Sequence, residues 1–169
     1  VFLRPELDFL VEDLETSSKA SNTIKKQEGS YTDLYFNYSI NQDLRDKKFR
    51  TEDGYITTFA QELPIISDNS EFSNAFDISK YKKLSTRSDM VGKVSFFAKT
   101  ITGLSDDVRV SKRLHIPSYK LRGFEKGKVG PVDNNDFVGG NHITTLNMSE
   151  TLPNIFEGLD NLDVGVFFD

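Results

Sequence analysis

The sequence predicts an all-β protein whose antiparallel strands run up and down, on three observations. The prevailing periodicity of apolar and polar residues is two, and seven segments read as candidate strands. No segment carries the 3.6-residue period of an amphipathic helix. The connections alternate roughly between long and short, as they do where an up-and-down barrel has two unlike rims.

The first strand is expected over residues 3–14. The second, 32–40, is the clearest: Leu34, Phe36, Tyr38 and Ile40 oppose Asp33, Asn37 and Ser39, the pattern of a half-buried strand. A third covers 55–63. In 72–84, Phe76, Ile78 and Leu84 share a face that also carries Lys80 and Lys82. In 92–102, Val94, Phe96 and Ala98 oppose Lys93, Ser95 and Lys99, with Phe97 out of phase. Residues 142–150 alternate weakly and are rich in Thr and Asn, and 162–168 close the series. Of the connections, 16–30 is long and polar, 41–54 is charged and turn-like, 64–70 is a loop, and 85–89 is short. Residues 151–161, with Pro153 and Gly158, are intermediate. The connection 105–138 exceeds thirty residues, a length that is uncommon in a compact domain and usually functional.

Composition bounds the function. With 169 residues the chain is one domain or a piece of a larger protein. Val1 stands inside a strand and Asp169 directly follows the apolar run 164–168, so a fragment is expected. A net charge of -5, from 21 basic and 26 acidic residues intermixed, leaves no basic footprint for nucleic acid. The absence of cysteine excludes disulfide scaffolds and thiolate zinc sites. No apolar run approaches the ~20 residues of a membrane helix, whereas barrel strands need only about 9–11. Two architectures therefore stay open: a soluble sandwich or lipocalin-like barrel with apolar faces inward, and a membrane barrel with apolar faces outward. A mean hydropathy of -0.45 favours the soluble one, and the patterns do not decide.

Residues 112–141 carry the informative motifs: Leu121-Arg122-Gly123-Phe124, then Gly130-Pro131, then Gly139-Gly140-Asn141. Glycine and proline mark a loop with special backbone geometry. Ile116, Leu121, Phe124 and Val129 are too apolar for a solvent tip, so the segment is expected to lie tucked into a cavity. These motifs, in this order, resemble the sixth extracellular loop of the bacterial surface antigen family of outer-membrane protein assembly factors. That loop has an apolar-Arg-Gly-aromatic tetrad, then Gly-Pro, and its next strand opens with Gly-Gly-Asn. Asp43, Arg45 and Asp46, followed by Phe49 and Gly54, resemble the family's periplasmic turn, with Thr51-Glu52 where the family carries Pro-Thr. Residues 164–169 resemble its next strand, which ends in an aromatic-Asp pair. The resemblance covers nearly the whole chain, weakly over 1–30 and strongly over 112–141.

The resemblance implies an all-β, antiparallel, up-and-down transmembrane β-barrel that is incomplete, about seven strands of sixteen. Residues 1–169 would form part of the barrel domain, with 105–138 as a lumenal or extracellular loop. It further implies a place in the bacterial outer membrane and a non-enzymatic role in folding and inserting β-barrel proteins. The expected partners are the lipid bilayer, unfolded barrel substrates and, through periplasmic domains, assembly-complex lipoproteins. No cofactor, metal or catalytic residue is implied. A translocator of the same superfamily, of the two-partner secretion type, would share the tetrad. A passive porin or receptor would need neither it nor Gly-Gly-Asn, and a soluble β-sandwich binding module is a further alternative.

In the resembled family the tetrad arginine pairs with carboxylates on the barrel wall. The carry-over is Arg122 to Asp169, with Glu150 as second partner, because Ser149 stands where the family places a glutamate. A buried guanidinium demands an anion, and its planar fork suits a carboxylate. Gly123 would free the backbone, Phe124 would pack on the wall, and Gly130, Pro131, Gly139, Gly140 and Asn141 would form the hinge between loop and strand. The remaining chemistry-bearing residues give no site. Asp106, Asp107, Asp133 and Asp136 lack calcium-loop spacing. His115 and His142 have no nucleophile beside them, and Lys128 with its neighbouring glycines misses the phosphate-loop spacing.

Overall fold

The computed structural model describes residues 1–85, 89–153 and 162–169. Seven long strands form one antiparallel sheet: β1 (Phe2–Leu14), β2 (Gly29–Asp43), β3 (Gly54–Ser67), β4 (Glu71–Lys83), β5 (Val91–Gly103), β8 (His142–Pro153) and β9 (Asp163–Phe168). Their order in space follows their order in the chain. Each expected strand is present; β2, β3 and β8 run several residues beyond their expected ends, and the other four agree to within a residue at each end. Period counting loses the ends because polar residues there satisfy both patterns. The connections at 85–89 and 151–161 fall largely outside the described residues.

Two features escaped the periodicity. Residues 22–25 form a single helical turn, α1 (Asn22–Lys25), whose Ser21 hydroxyl accepts from the Ile24 amide at 3.3 Å. One turn is too short to show a helical period. Within the long connection, β6 (Val132–Asp133) and β7 (Asp136–Phe137) make a miniature hairpin. Its two turn residues, Asn134 and Asn135, both have positive φ (47° and 72°), as a two-residue hairpin turn of the primed type requires. The Asp-Asn-Asn-Asp run is thus turn chemistry.

Register assigns every side chain to a face. Leu7 opposes Phe36, Ile40 opposes Phe59, Phe76 opposes Ala98, and Val94 opposes Met148, which opposes Phe168. These residues share a bare face, and many of them are exposed large hydrophobics. The other face carries Asp33, Tyr35, Glu71, Ser73, Ser79, Ser95, Ile143 and Thr145, all buried. The long connection lies across that face: its Arg109 covers Asp33, Tyr35 and Glu71, and its Val108 and Leu114 cluster with Ile143. A small apolar cluster of Ile101, Val108, Leu114 and Ile143, with Phe97 and Ile116 against it, joins sheet to loop. The polarity is inverted relative to a soluble sandwich, whose buried face would be the apolar one. A bulge where Leu34/Tyr35 meets β3 falls at Pro64, which has no N–H to give a ladder.

Candidate functional site

The loop between β5 and β8 is clasped to the polar face by three cations, taken in chain order. The first is Arg109, between Val108, which is sunk in the apolar cluster, and Val110, whose amide bonds the Gln27 side chain at 2.7 Å. Its side chain is fully buried. The guanidinium donates to Asp33, to Glu71 Oε1 at 3.2 Å, to Glu12 at 3.3 Å and to the Tyr35 hydroxyl at 3.4 Å. It also lies over the Tyr31 ring at 4.5 Å. One loop residue thereby joins β1, β2 and β4. Sequence reasoning missed this node; its trace was three carboxylates on the polar faces of three strands and a cation inside an apolar Val-Arg-Val run.

The second clasp is Lys120, which pairs with Asp77 and sits over the Phe97 ring at 4.9 Å, while its backbone carbonyl accepts from Asn147 Nδ2 at 2.7 Å. Neither Lys120 nor Asp77 was expected. The third is Arg122, whose Nε and Nη2 donate to the two carboxylate oxygens of Asp169, the Nε bond at 2.7 Å. The Arg122 backbone amide adds a bond of 3.0 Å, and the guanidinium stacks 3.6 Å from the Phe167 ring centre. The pairing is a fork on a carboxylate, the geometry that lysine does not reproduce. Asp169 reaches the loop because β9 alternates: Phe167 and Asp169 face it while Val166 and Phe168 face away.

Glu150, the second expected partner, is corrected by the same alternation. It opposes Gly92 and Val166 on the bare face, while its neighbour Ser149 faces the loop. A carboxylate one residue out of phase points to the wrong side of the sheet. Phe124 is corrected as well: it is 61 % exposed, and it lines a small cleft with Ile116, Leu121 and Val129 instead of packing on the sheet. These four apolar residues cover one another. Gly123, beside Arg122, has φ +83°.

The return to the sheet runs through the glycines. Leu114 and Gly140 form an isolated antiparallel bridge with bonds of 2.8 and 2.9 Å, and the Asn141 carbonyl accepts from Ile101 as β8 begins. Gly130 has φ +135°, and Pro131 accepts from Val138 at the foot of the small hairpin. Gly139 is buried with φ +71°, and a Cβ there would meet His115 Nε2 at 2.9 Å and the Leu114 carbonyl at 3.0 Å. Gly139→Ala is expected to cost about 1–3 kcal/mol through the disfavoured backbone conformation and these contacts. Hydrogen exchange at the Leu114 and Gly140 amides should accelerate; unchanged protection would contradict the role given to Gly139.

The Omp85 superfamily domain matches residues 7–169. The chain belongs to the Omp85 superfamily. This is a superfamily of outer-membrane barrels that insert or translocate proteins, and the chain is accordingly an outer-membrane protein. The crystal structure of BamA from Haemophilus ducreyi lacking POTRA domains 1–3 matches its fold with a TM-score of 0.77 at 16% identity. The match covers 90% of this chain and 35% of that one, so this chain spans about a third of that protein's length. No curated protein matches the sequence.

The second motif of this Omp85 chain is the turn between β2 and β3. Arg45 forks onto Asp43 with two bonds of 2.8 Å. Asp46 accepts from the amides of Glu52 and Asp53 at 3.0 and 3.1 Å, and these bonds, that from Asp53 foremost, hold its carboxyl below the usual range. Gly54 has φ +98°, and a Cβ there would fall 2.1 Å from the Leu44 carbonyl. Thr51 bonds the Lys47 carbonyl at 2.7 Å, and Glu52 takes Lys47 and Lys83. Arg50 reaches Asp163 on β9 at 3.3 Å, and Phe49 is left exposed.

Proposed function

We propose that this chain forms part of a barrel that folds and inserts other β-barrel proteins into the outer membrane. The observation that carries the reading is the Arg122–Asp169 fork inside a loop clasped to the polar face of the sheet. On this reading residues 1–169 are part of the barrel wall, the bare face meets lipid, and the clasped face lines the lumen. Residues 105–138 are the lumenal loop, Leu121 to Phe124 are its lock, Gly130, Pro131, Gly139, Gly140 and Asn141 are its hinge, and the turn from Asp43 to Gly54 is periplasmic.

The chemistry involved is non-covalent. An incoming strand gains main-chain hydrogen bonds by adding to a barrel edge, and those bonds matter most in hydrocarbon, where unpaired backbone groups cannot persist. The lock holds the lumen in one shape while the wall yields elsewhere. The partners are unfolded barrel proteins and, through periplasmic domains, lipoproteins of an assembly complex. Depleting the full-length protein tests the reading. Many unrelated barrel proteins should disappear from the outer membrane together. Loss of one exported partner, with other barrels intact, would make the protein a translocator instead.

A further inference from the structure

Glu150 is left over by the lock, and its surroundings on the bare face form a site of their own. A groove of about 520 Å³ crosses that face near the ends of β4, β5, β8 and β9. Its floor is apolar, from Val94, Met148, Val166 and Phe168. Lys80, Lys82 and Glu150 also line it. The three interrupt the apolar face: Lys80, opposite Val94, follows Ile78 by two residues on β4, and Glu150, opposite Val166, follows Met148 by two on β8, with Leu84 beyond Lys82 and the paired Leu152 and Val164 beyond Glu150. Lys82 and Glu150 both flank Gly92, which opposes each of them. Their strands are two apart, so roughly 10 Å separates their backbones. Gly92 leaves that gap without a side chain, and Leu84 folds over it, so that a Cβ there would meet the Leu84 methyls at 3.1 Å.

The charges are available. Lys80 and Glu150 make no side-chain hydrogen bond or ion pair among the described residues. Lys82 pairs with Asp53 at 2.8 Å, but both are largely exposed, and such pairs exchange at little cost. Two cations and one anion over a short gap, set among apolar side chains, match a zwitterion with a tail. We infer that this groove binds a phospholipid of the phosphatidylethanolamine type. Its phosphate lies between Lys80 and Lys82, its ammonium donates to Glu150, and an acyl chain lies along Met148 and Phe168. The short turns of outer-membrane barrels are periplasmic, which puts the site at the headgroups of the inner leaflet. Lysines there extend their apolar stems over the barrel and keep the ammonium in the headgroup layer. A lone lysine girdle would explain the cations but not the carboxylate among them. This inference rests on the bare face meeting lipid.

The full-length protein, released from nanodiscs holding equal palmitoyl-oleoyl phosphatidylethanolamine, phosphatidylglycerol and phosphatidylcholine, tests it by native mass spectrometry. Phosphatidylethanolamine should be retained preferentially, since the choline ammonium has no N–H to donate. The pair Lys80→Gln and Lys82→Gln should lower retention of all three on the order of fivefold. Glu150→Gln should abolish the preference for ethanolamine while leaving phosphatidylglycerol bound as before. Heat-modifiable gel mobility confirms that each variant is folded. Equal retention of every class by all forms overturns the site and leaves the bilayer placement standing. Retention of no lipid by any folded form overturns both.

Discussion

Arg109→Met is expected to destabilise the full-length protein by about 3–5 kcal/mol, the cost of leaving buried charges without their partner. Methionine keeps most of the volume, so the loss is electrostatic and not a cavity. Glu12, Asp33 and Glu71 would then confront one another with Asp33 and Glu71 fully buried. Arg109→Lys should recover little, because one ammonium cannot reach carboxylates on three strands as the guanidinium does. Urea unfolding followed by the loss of heat-modifiable mobility measures the effect. Adding Asp33→Asn and Glu71→Gln to Arg109→Met should restore part of the loss, as coupled sites do. If Arg109→Met unfolds at the wild-type midpoint, the node is not what anchors the loop.

The second large effect is functional. Under the proposed function, Arg122→Glu and Asp169→Arg, each alone, are expected to cripple insertion of barrel proteins by the full-length protein, because each places like charges at the fork. Combined, they restore opposite charges in the same place, and activity should return well above either single variant. The measurement is complementation of a depleted strain, with the amount of folded variant in the outer membrane as control. A double variant no better than the singles would end the lock as an explanation, whereas the superfamily membership would stand. Arg122→Lys separates charge from geometry: the stack on Phe167 and the two hydrogen bonds to Asp169 both need the planar fork.

These two clasps were not equally legible. Arg122 announced itself because a Gly follows it and an aromatic follows that, a local pattern readable within four residues. Arg109 has no such neighbourhood. Its partners sit on β1, β2 and β4, far apart in the chain, and each looked like an ordinary polar position in an alternating strand. Asp33 was read correctly as facing away from Leu34, but what it faced was another matter. Lys120 and Asp77 escaped for the same reason. Glu150 shows the converse failure: its type suited the role, yet its phase did not, and register alone separates it from Ser149.

By itself the sequence determined the strands and, in the clearest of them, the division into a polar and an apolar face. All of this follows from the two-residue repeat of an extended chain, which is local. It also carried the loop's motifs, because positive φ at glycine and the fork of an arginine are properties of single residues. Only the tertiary structure decided which face the loop covers, and hence that the buried face is the polar one. It alone gathered three carboxylates around Arg109 and turned Glu150 outward beside Lys80 and Lys82. Those outcomes depend on cross-strand register and on charges brought together from distant positions, and no repeat along the chain encodes such a meeting.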